Sequence, residues 1–307
     1  MRGRGEPAGP RIERRALDGW ICLDKPLGLT STQAVGRLRF LLKALKAGHA
    51  GTLDPLATGI LPIAFGEATK TIPIVQDGEK EYAFTVKWGE ETATDDSEGA
   101  VTLRSDSRPS TGEIEAVLPR FTGLIDQRPP DFSAIKVDGE RAYDLARGGQ
   151  AVELAERKIL VRSLTLTGEE PGLAHFSARC GKGAYVRSLA RDIGRALGCH
   201  GHVVALRRTR VGPFSLENSS ADAVESAEAA ERALKPLSAG LTELPRIAID
   251  RDGAAVLRCG QRLLLRGDAP GEGETAYVTC LGEPVAIGWV EGGHFVSSRV
   301  INASGRA

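Results

Sequence analysis

Apolar residues recur along this chain at two spacings, and the spacings divide it into helices and strands. After a short apolar run at 19–23 and a turn-forming stretch at 24–28 (DKPLG), Val35, Leu38, Leu41, Leu42 and Leu45 fall at helical intervals. Thr30 and Gln33 precede them at capping-box spacing, so a helix is predicted to deliver the chain into residues 48–61. Tyr82, Phe84, Val86 and Trp88 alternate with Ala83, Thr85 and Lys87, the period of two that marks a strand. Further strands are predicted at 159–167, 175–180 and 201–211. Ahead of the last, Val186, Leu189, Ile193 and Leu197 give a helix its apolar face.

The polar stretches complete the outline. Residues 90–111 predict a surface excursion, followed by a short helix ending near 119–121. Residues 128–150 open on two prolines and close on two glycines, which predicts a loop, a turn at Asp138 and Gly139, and a short helix. Residues 1–18, rich in Arg, Gly and Pro, predict a loosely attached tail. Residues 217–240 are acidic and modestly helical, the texture of a linker. From about residue 247 short strands and turns predict a small β-domain. The organisation expected is a tail at 1–18, a main domain at 19–245 and a small domain at 246–307.

Composition adds bounds. A chain of 307 residues, 41 % apolar and 26 % charged, is an ordinary globular protein. No run of about 18 apolar residues predicts a membrane span, and residues 1–15 hold no apolar stretch of a secretory signal. Five scattered cysteines predict reduced thiols and a cytoplasmic protein. Cys199, His200 and His202 lie close together, but no C-x-x-C pair supports a metal site, so none is expected. There is neither a Walker A nor a dinucleotide glycine fingerprint.

Net charge is zero, yet it is unevenly spread. Residues 179–210 hold Arg179, Lys182, Arg187, Arg191, Arg195, Arg207, Arg208 and Arg210 against Asp192 alone. Arg187, Arg191 and Arg195 are spaced four apart and predict a basic stripe on one helix face. Such a stripe is either a solvated face or the footprint of a nucleic-acid binder. Acids such as Asp95, Asp96 and Glu98 collect elsewhere in the sequence.

Residues 48–61 (GHAGTLDPLATGIL) place one carboxylate, Asp54, among three glycines and a proline. Alone, Asp54-Pro55 reads as an Asx-type turn. As a whole the run resembles the catalytic motif of the TruB family, bacterial transfer-RNA pseudouridine-55 synthases. The early segment Asp24, Lys25, Pro26, Gly28, Thr30 and Ser31 matches that family's first signature. Lys182-Gly183-x-Tyr185-x-Arg187 resembles its second motif. The likeness runs over residues 19–215 and weakens beyond.

The resemblance implies a pseudouridine-synthase α+β fold: a mixed, mostly antiparallel sheet with a central cleft, plus a small C-terminal PUA-like β-domain that binds RNA. It implies Asp54 as nucleophile, Arg187 as its partner and Tyr185 against the reacting base, with no cofactor and no metal. It implies Tyr82 stacked on the target base, His49 beside the flipped nucleotide, Leu206 lining the pocket, and Lys70 in an RNA-contacting segment. Residues 128–150, with Lys136, Arg141 and Arg147, resemble the family's RNA-gripping insertion. The partner implied is the T-stem-loop of transfer RNA, without a guide RNA, bound by a monomer. The motif glycines are expected to let an RNA backbone approach closely.

Three rival readings carry different expectations. A guide-dependent relative would share the chemistry but need protein and RNA partners. A non-catalytic RNA-folding factor would not need Asp54, Tyr185 and Arg187 together. A carboxylate glycosidase would need a second acid, and no acid in the sequence pairs obviously with Asp54.

Overall fold

The computed structural model describes residues 13–133, 136–137, 140–141, 154–267 and 269–302, with backbone alone at 136–137 and 140–141. Its first strands are β1 (Gly19–Lys25), β2 (Ala47–His49), β3 (Ala57–Phe65), β4 (Lys80–Trp88), β5 (Glu90–Thr92) and β6 (Val101–Arg104). They are followed by β7 (Gly123–Gln127), β8 (Lys136–Val137), β9 (Glu140–Arg141), β10 (Arg157–Glu170), β11 (Leu173–Cys180), β12 (Gly201–Val211) and β13 (Phe214–Ser215). Helices α1 (Ser31–Leu41), α2 (Ile72–Asp77), α3 (Thr111–Val117), α4 (Val186–Ala196) and α5 (Ala227–Arg232) lie between or after them.

One sheet organises the main domain, in the order β1-β3-β12-β4-β11-β10-β7, with β2 on β3 and β13 on β12. Only the β3–β12 pairing is parallel, so the sheet is mixed and mostly antiparallel, as the resemblance implies. Both faces are covered. Along β1, Ile21 and Leu23 enter one core with Leu38, Phe65, Phe84, Phe176 and Leu189. Trp20 and Cys22 enter a second core with Ile60, Phe214, Leu237 and Leu241. A strand buried on both faces reads as an unbroken apolar run rather than an alternation, which is why 19–23 shows no period of two.

The predicted helices form for the predicted reasons. Thr30 caps α1, with the reciprocal bond from Gln33 in place; α3 has a capping box of its own that was not predicted, Ser110 with Glu113. The α1 face that packs is Ala34, Leu38 and Leu42, while Leu45 lies beyond the helix and is exposed. Val186, Leu189 and Ile193 pack α4 into the core as its spacing requires.

Three expectations fail where polar composition was taken for looseness. Residues 13–18 are attached: Arg15 exchanges main-chain bonds with the segment after α1 (Arg15 N to Lys43 O 2.9 Å, Leu45 N to Arg15 O 3.1 Å), and Asp18 accepts from Glu67 N at 2.7 Å. The rest of the predicted tail, 1–12, lies outside the described residues. Residues 217–240 are no linker. Lys235 and Trp20 exchange two main-chain bonds, and Ala230, Leu237 and Leu241 are buried. Finally, the 90–111 excursion begins as a hairpin of β5 and β6 whose Glu91, Asp95 and Asp96 are buried against α4.

The C-terminal unit comprises β14 (Arg246–Ile249), β15 (Leu263–Leu264), β16 (Thr275–Cys280), β17 (Glu283–Glu291), β18 (His294–Val300) and one helix, α6 (Arg251–Arg258), which the strand-and-turn reading missed. Its sheet runs β14-β16-β17-β18-β15. One face makes its own core of Leu257, Ala276, Val278, Ala286 and Phe295. The other gives Tyr277 and Ile287 to the second core of the main domain, so the two sheets share buried surface.

Candidate active site

Asp54 sits in the loop between β2 and β3, and that loop is held from three sides. From α1, the Ser31 hydroxyl donates to Leu53 O and accepts from Leu53 N, both at 2.9 Å. From the end of β1, Gly28 N donates to Pro55 O at 2.8 Å. The turn that presents Gly28 is pinned by Lys25, fully buried, whose Nζ donates to Pro26 O (2.9 Å) and Leu29 O (2.7 Å). Burial drives the Lys25 ammonium down to about 8, with Asp54 acting the other way. From β12, the Arg208 guanidinium donates to Ile60 O (2.8 Å), Thr52 O (3.1 Å) and Gly51 O (3.0 Å).

The glycines of this loop serve the protein's own packing. Gly59 has φ 102°, a conformation side chains rarely adopt, and a Cβ there would lie 2.1 Å from Arg208 O. At Gly48 a Cβ would meet the Ile72 side chain at 3.0 Å. Close approach is the reason for both, and at these two positions the approaching group is β12 or α2.

Arg187, in the first turn of α4, meets Asp54 with NH2–Oδ2 at 3.0 Å. Its guanidinium also donates to Thr94 O (2.9 Å) and Phe132 O (3.0 Å), and lies 3.4 Å from Asp96 Oδ2. The sequence-predicted pair is therefore formed, within a larger assembly. A charge-assisted bond from a fixed guanidinium orients a carboxylate. Arg187 is buried, whereas the Asp54 side chain is 34 % exposed, so the acid faces the cleft and the cation stands behind it.

The rest of the basic stripe is neutralised. Arg191 pairs with Asp95 at 2.9 Å and with Asp192 at 2.8 Å, and Arg195 pairs with Glu91 at 2.5 Å. Reading along α4, the three arginines meet Asp96, Asp95 and Glu91 in order. Asp95 reaches Arg191 from a left-handed backbone position (φ 60°) that aspartate tolerates better than most residues. Burial pushes the Asp95 carboxyl up to about 6, with Arg191 opposing. The stripe is thus a dock for the β5–β6 segment, not a free RNA surface. Asp95 and Asp96, two of the acids that collect elsewhere in the sequence, are among its partners; Asp96 is an acid beside Arg187 that the sequence did not reveal, and the exposed Glu98 also lies within electrostatic reach of Asp54. The Asp96 side chain is only 3 % exposed, so it cannot reach a sugar as one of a glycosidase's two acids.

Two tyrosines flank this centre. Tyr185 is the residue before α4, and its main chain is clamped by the buried Gln127 of β7 (Tyr185 N to Oε1 2.8 Å, Nε2 to Tyr185 O 3.0 Å). The Arg157 guanidinium lies 5.0 Å from its ring centre. Tyr82 lies on β4 directly opposite Arg208 of β12, on the same face as Phe84. Burial raises its phenol, and the guanidinium, in hydrogen-bonding contact, opposes the rise.

Comparison with known proteins settles the lineage. Residues 39–186 match the sequence model described as TruB family pseudouridylate synthase (N terminal domain), and residues 187–242 match that of the tRNA pseudouridylate synthase B C-terminal domain. The chain belongs to the TruB family. It is 52 % identical to the tRNA pseudouridine synthase B of Rhodopseudomonas palustris, over 96 % of this chain and 84 % of that protein. It is 53 % identical to the Bradyrhizobium diazoefficiens protein of the same name, over 96 % and 89 %. Among solved structures, the chain is similar to one of a Cbf5–Nop10–Gar1 complex (TM-score 0.72, 27 % identity, 92 % of this chain and 83 % of that one). It is also similar to an H/ACA RNP bound to a substrate RNA (TM-score 0.73, 26 % identity, 92 % and 84 %).

The remaining predicted residues divide. Leu206 is buried on β12 opposite Ala57 and Phe84, beside the loop that carries Asp54. His49 ends β2, opposite Ile63, five residues ahead of Asp54 and partly exposed. Lys70 is committed within the protein: Nζ bonds Glu67 Oε2 (2.7 Å) and Val300 O (2.9 Å), and Glu67 Oε2 also accepts from Asn302 N (2.7 Å). It ties the C-terminal sheet to the main domain. The backbone of Arg141 lies on β9, paired with Lys136 of β8, and the turn predicted at Asp138 and Gly139 lies outside the described residues. The Arg141 side chain, Arg147 and the short helix expected near them fall outside the described residues.

Sequence reading missed Asp96, Lys25, Gln127 and Arg208 as site-building residues. Lys25 carried a signal, its place in the family's first signature. Asp96 and Gln127 carried none, because the partners they hold lie 91 and 58 positions away. Among the described residues no group of His, Cys, Asp and Glu is arranged to hold a metal, the five cysteines are free, and no helix is long and apolar enough to cross a membrane.

Proposed function

We propose that the protein isomerises uridine 55 to pseudouridine in the T-loop of transfer RNA, acting in the cytoplasm without a guide RNA. The observation that carries the reading is Asp54, open to the cleft and held by the buried Arg187, in a chain 52–53 % identical to relatives named tRNA pseudouridine synthase B. The reaction breaks the N1–C1′ bond and forms a C5–C1′ bond. A proton leaves C5 and N1 gains one, so no electrons are exchanged. Asp54 is the nucleophile, attacking either C6 of the uracil or C1′ of the ribose; Arg187 aims it and balances its charge.

The target base has to leave its stack, at a cost of a few kcal/mol. Stacking on Tyr82 recovers about 1–3 kcal/mol, with Tyr185 and Leu206 completing the pocket. His49 occupies the space that the base leaves. Residues 128–150 and the C-terminal sheet hold the RNA backbone, and the active unit is a monomer.

The test is a transfer-RNA transcript tritiated at uridine C5, given to the purified protein alone. Release of tritium from position 55 is the expected result. No release from naked transcript, with release restored by added guide RNA and partner proteins, would transfer the chain to the guide-dependent reading. Binding and refolding of the transcript with no release at all would leave only an RNA-folding factor.

A further inference from the structure

We propose that Arg208 is a positioning residue for this reaction: it locks the nucleophile loop and the Tyr82 ring into one rigid unit. The inference rests on the proposed isomerase reading and extends it to a residue that contacts no substrate.

Arg208 differs from the other arginines of the site in what it binds. Arg187, Arg191, Arg195 and Arg207 each meet a carboxylate within 3.0 Å. Arg208, only 3 % exposed, donates instead to three main-chain carbonyls, those of Gly51, Thr52 and Ile60. A guanidinium buried without a directly bonded acid is costly. Its planar fork is suited to holding several acceptors in fixed directions at once.

Those directions matter. Gly51 and Thr52 stand three and two residues before Asp54, and Ile60 lies on the strand that leaves the loop. Through Gly59, whose absent Cβ admits the Arg208 carbonyl, the far end of the loop closes on the same residue. On the opposite side of β12 the cross-strand partner of Arg208 is Tyr82. Directly opposed side chains share a face and interact, and the Arg208 guanidinium lies within hydrogen-bonding reach of the Tyr82 phenol. The aromatic that receives the uracil and the loop that carries the carboxylate are therefore referred to one group. A misplacement of about 1 Å between reacting atoms is enough to cost about 100-fold in rate.

The experiment measures the single-turnover rate of tritium release, the dissociation constant for transfer RNA and the melting temperature in Tyr82→Phe, Arg208→Lys and the double variant. Tyr82→Phe keeps the stacking ring and removes only the acceptor. The expected result is a rate about 10-fold lower in Tyr82→Phe and about 100-fold lower in Arg208→Lys, with RNA affinity within about two-fold of wild type in both. The double variant should be no slower than Arg208→Lys alone, since the second change removes a link already broken. Losses that multiply to about 1,000-fold would show the two residues acting independently and overturn the proposal. So would a wild-type rate in Tyr82→Phe, which decides the matter even if Arg208→Lys does not fold. A merely structural arginine would lower the melting temperature and the active fraction but leave the single-turnover rate per bound RNA unchanged. An inactive wild-type protein would instead remove the isomerase reading itself.

Discussion

Two segments of this protein carry acids in polar, loop-like sequence, and they do opposite things with them. Residues 48–61 turn Asp54 toward the cleft, its side chain 34 % exposed, with Arg187 behind it. Residues 90–98 turn Asp95 and Asp96 inward, the side chains 8 % and 3 % exposed, onto Arg191 and Arg187. Arg187 belongs to both sets and joins them. The difference between an acid open to the cleft and a buried, supporting one is thus not residue type or local spacing. It is which side of a shared guanidinium the carboxylate occupies, and whether a substrate atom can reach it.

The comparison breaks most visibly at Asp54. Asp54→Asn keeps the shape of the side chain and removes the charge, and tritium release from uridine C5 should fall by about 10³-fold or more. Undiminished release would take Asp54 out of the chemistry and make it equivalent to its buried neighbours. Asp96→Asn is the matched substitution on the other segment. It leaves the Arg187–Asp54 contact but removes one of the groups that fix the guanidinium. A single-turnover rate lower by about 10²-fold is expected, with transfer-RNA affinity preserved. Loss of affinity with an intact rate would mean that Asp96 shapes the RNA surface instead of the nucleophile.

Legibility in the sequence followed the same divide. The α1 capping box, the Tyr82–Trp88 alternation and the α4 apolar face were readable because each depends on residues within one or two turns of one another. Asp54, Tyr185 and Arg187 were readable through motifs that keep the chemistry contiguous. What was not readable is long-range and polar. Nothing near Glu91, Asp95 or Asp96 announces the arginines 91 to 104 positions away, so their segment looked like a solvated excursion and α4 like an RNA-facing stripe. The same blindness made a linker of 217–240, and hid the bonds that tie Lys70 to Glu67 and Val300. Charge pairs formed across a fold leave composition unchanged, and both partners look exposed until the backbone brings them together.

Asp95 offers a pH test of that inward pairing. Its folded-state value, about 6, stands above the unfolded one of 3.8, so the native state holds the proton more tightly than the unfolded chain does. The stability Asp95 contributes is therefore fully present below about pH 4 and is lost as pH rises through 6. A shift of roughly two units corresponds to at most about 3 kcal/mol. Comparing Asp95→Asn with wild type by chemical denaturation, the variant should gain on wild type between pH 4 and 7. A difference that stays constant over that range would mean that Arg191 compensates the buried carboxylate fully.

The smallest effect expected is the sharpest check on the stripe. Arg195 is the most exposed of the three α4 arginines, half open to solvent, yet both its Nε and its NH2 are bonded to Glu91 at 2.8 and 2.5 Å. A side chain already paired in this way gains little from a phosphate, because binding RNA would first have to strip it from its carboxylate. Each phosphate contact contributes about 0.7–0.9 to the slope of log affinity against log salt. Arg195→Ala should therefore leave that slope where wild type has it, and cost about 1–3 kcal/mol of stability, because the buried Glu91 carboxylate loses its partner. A slope reduced by about one contact would return Arg195 to the RNA surface. It would also show that the ladder opens at its outer end while Arg187 and Arg191, both buried, stay closed at the inner one.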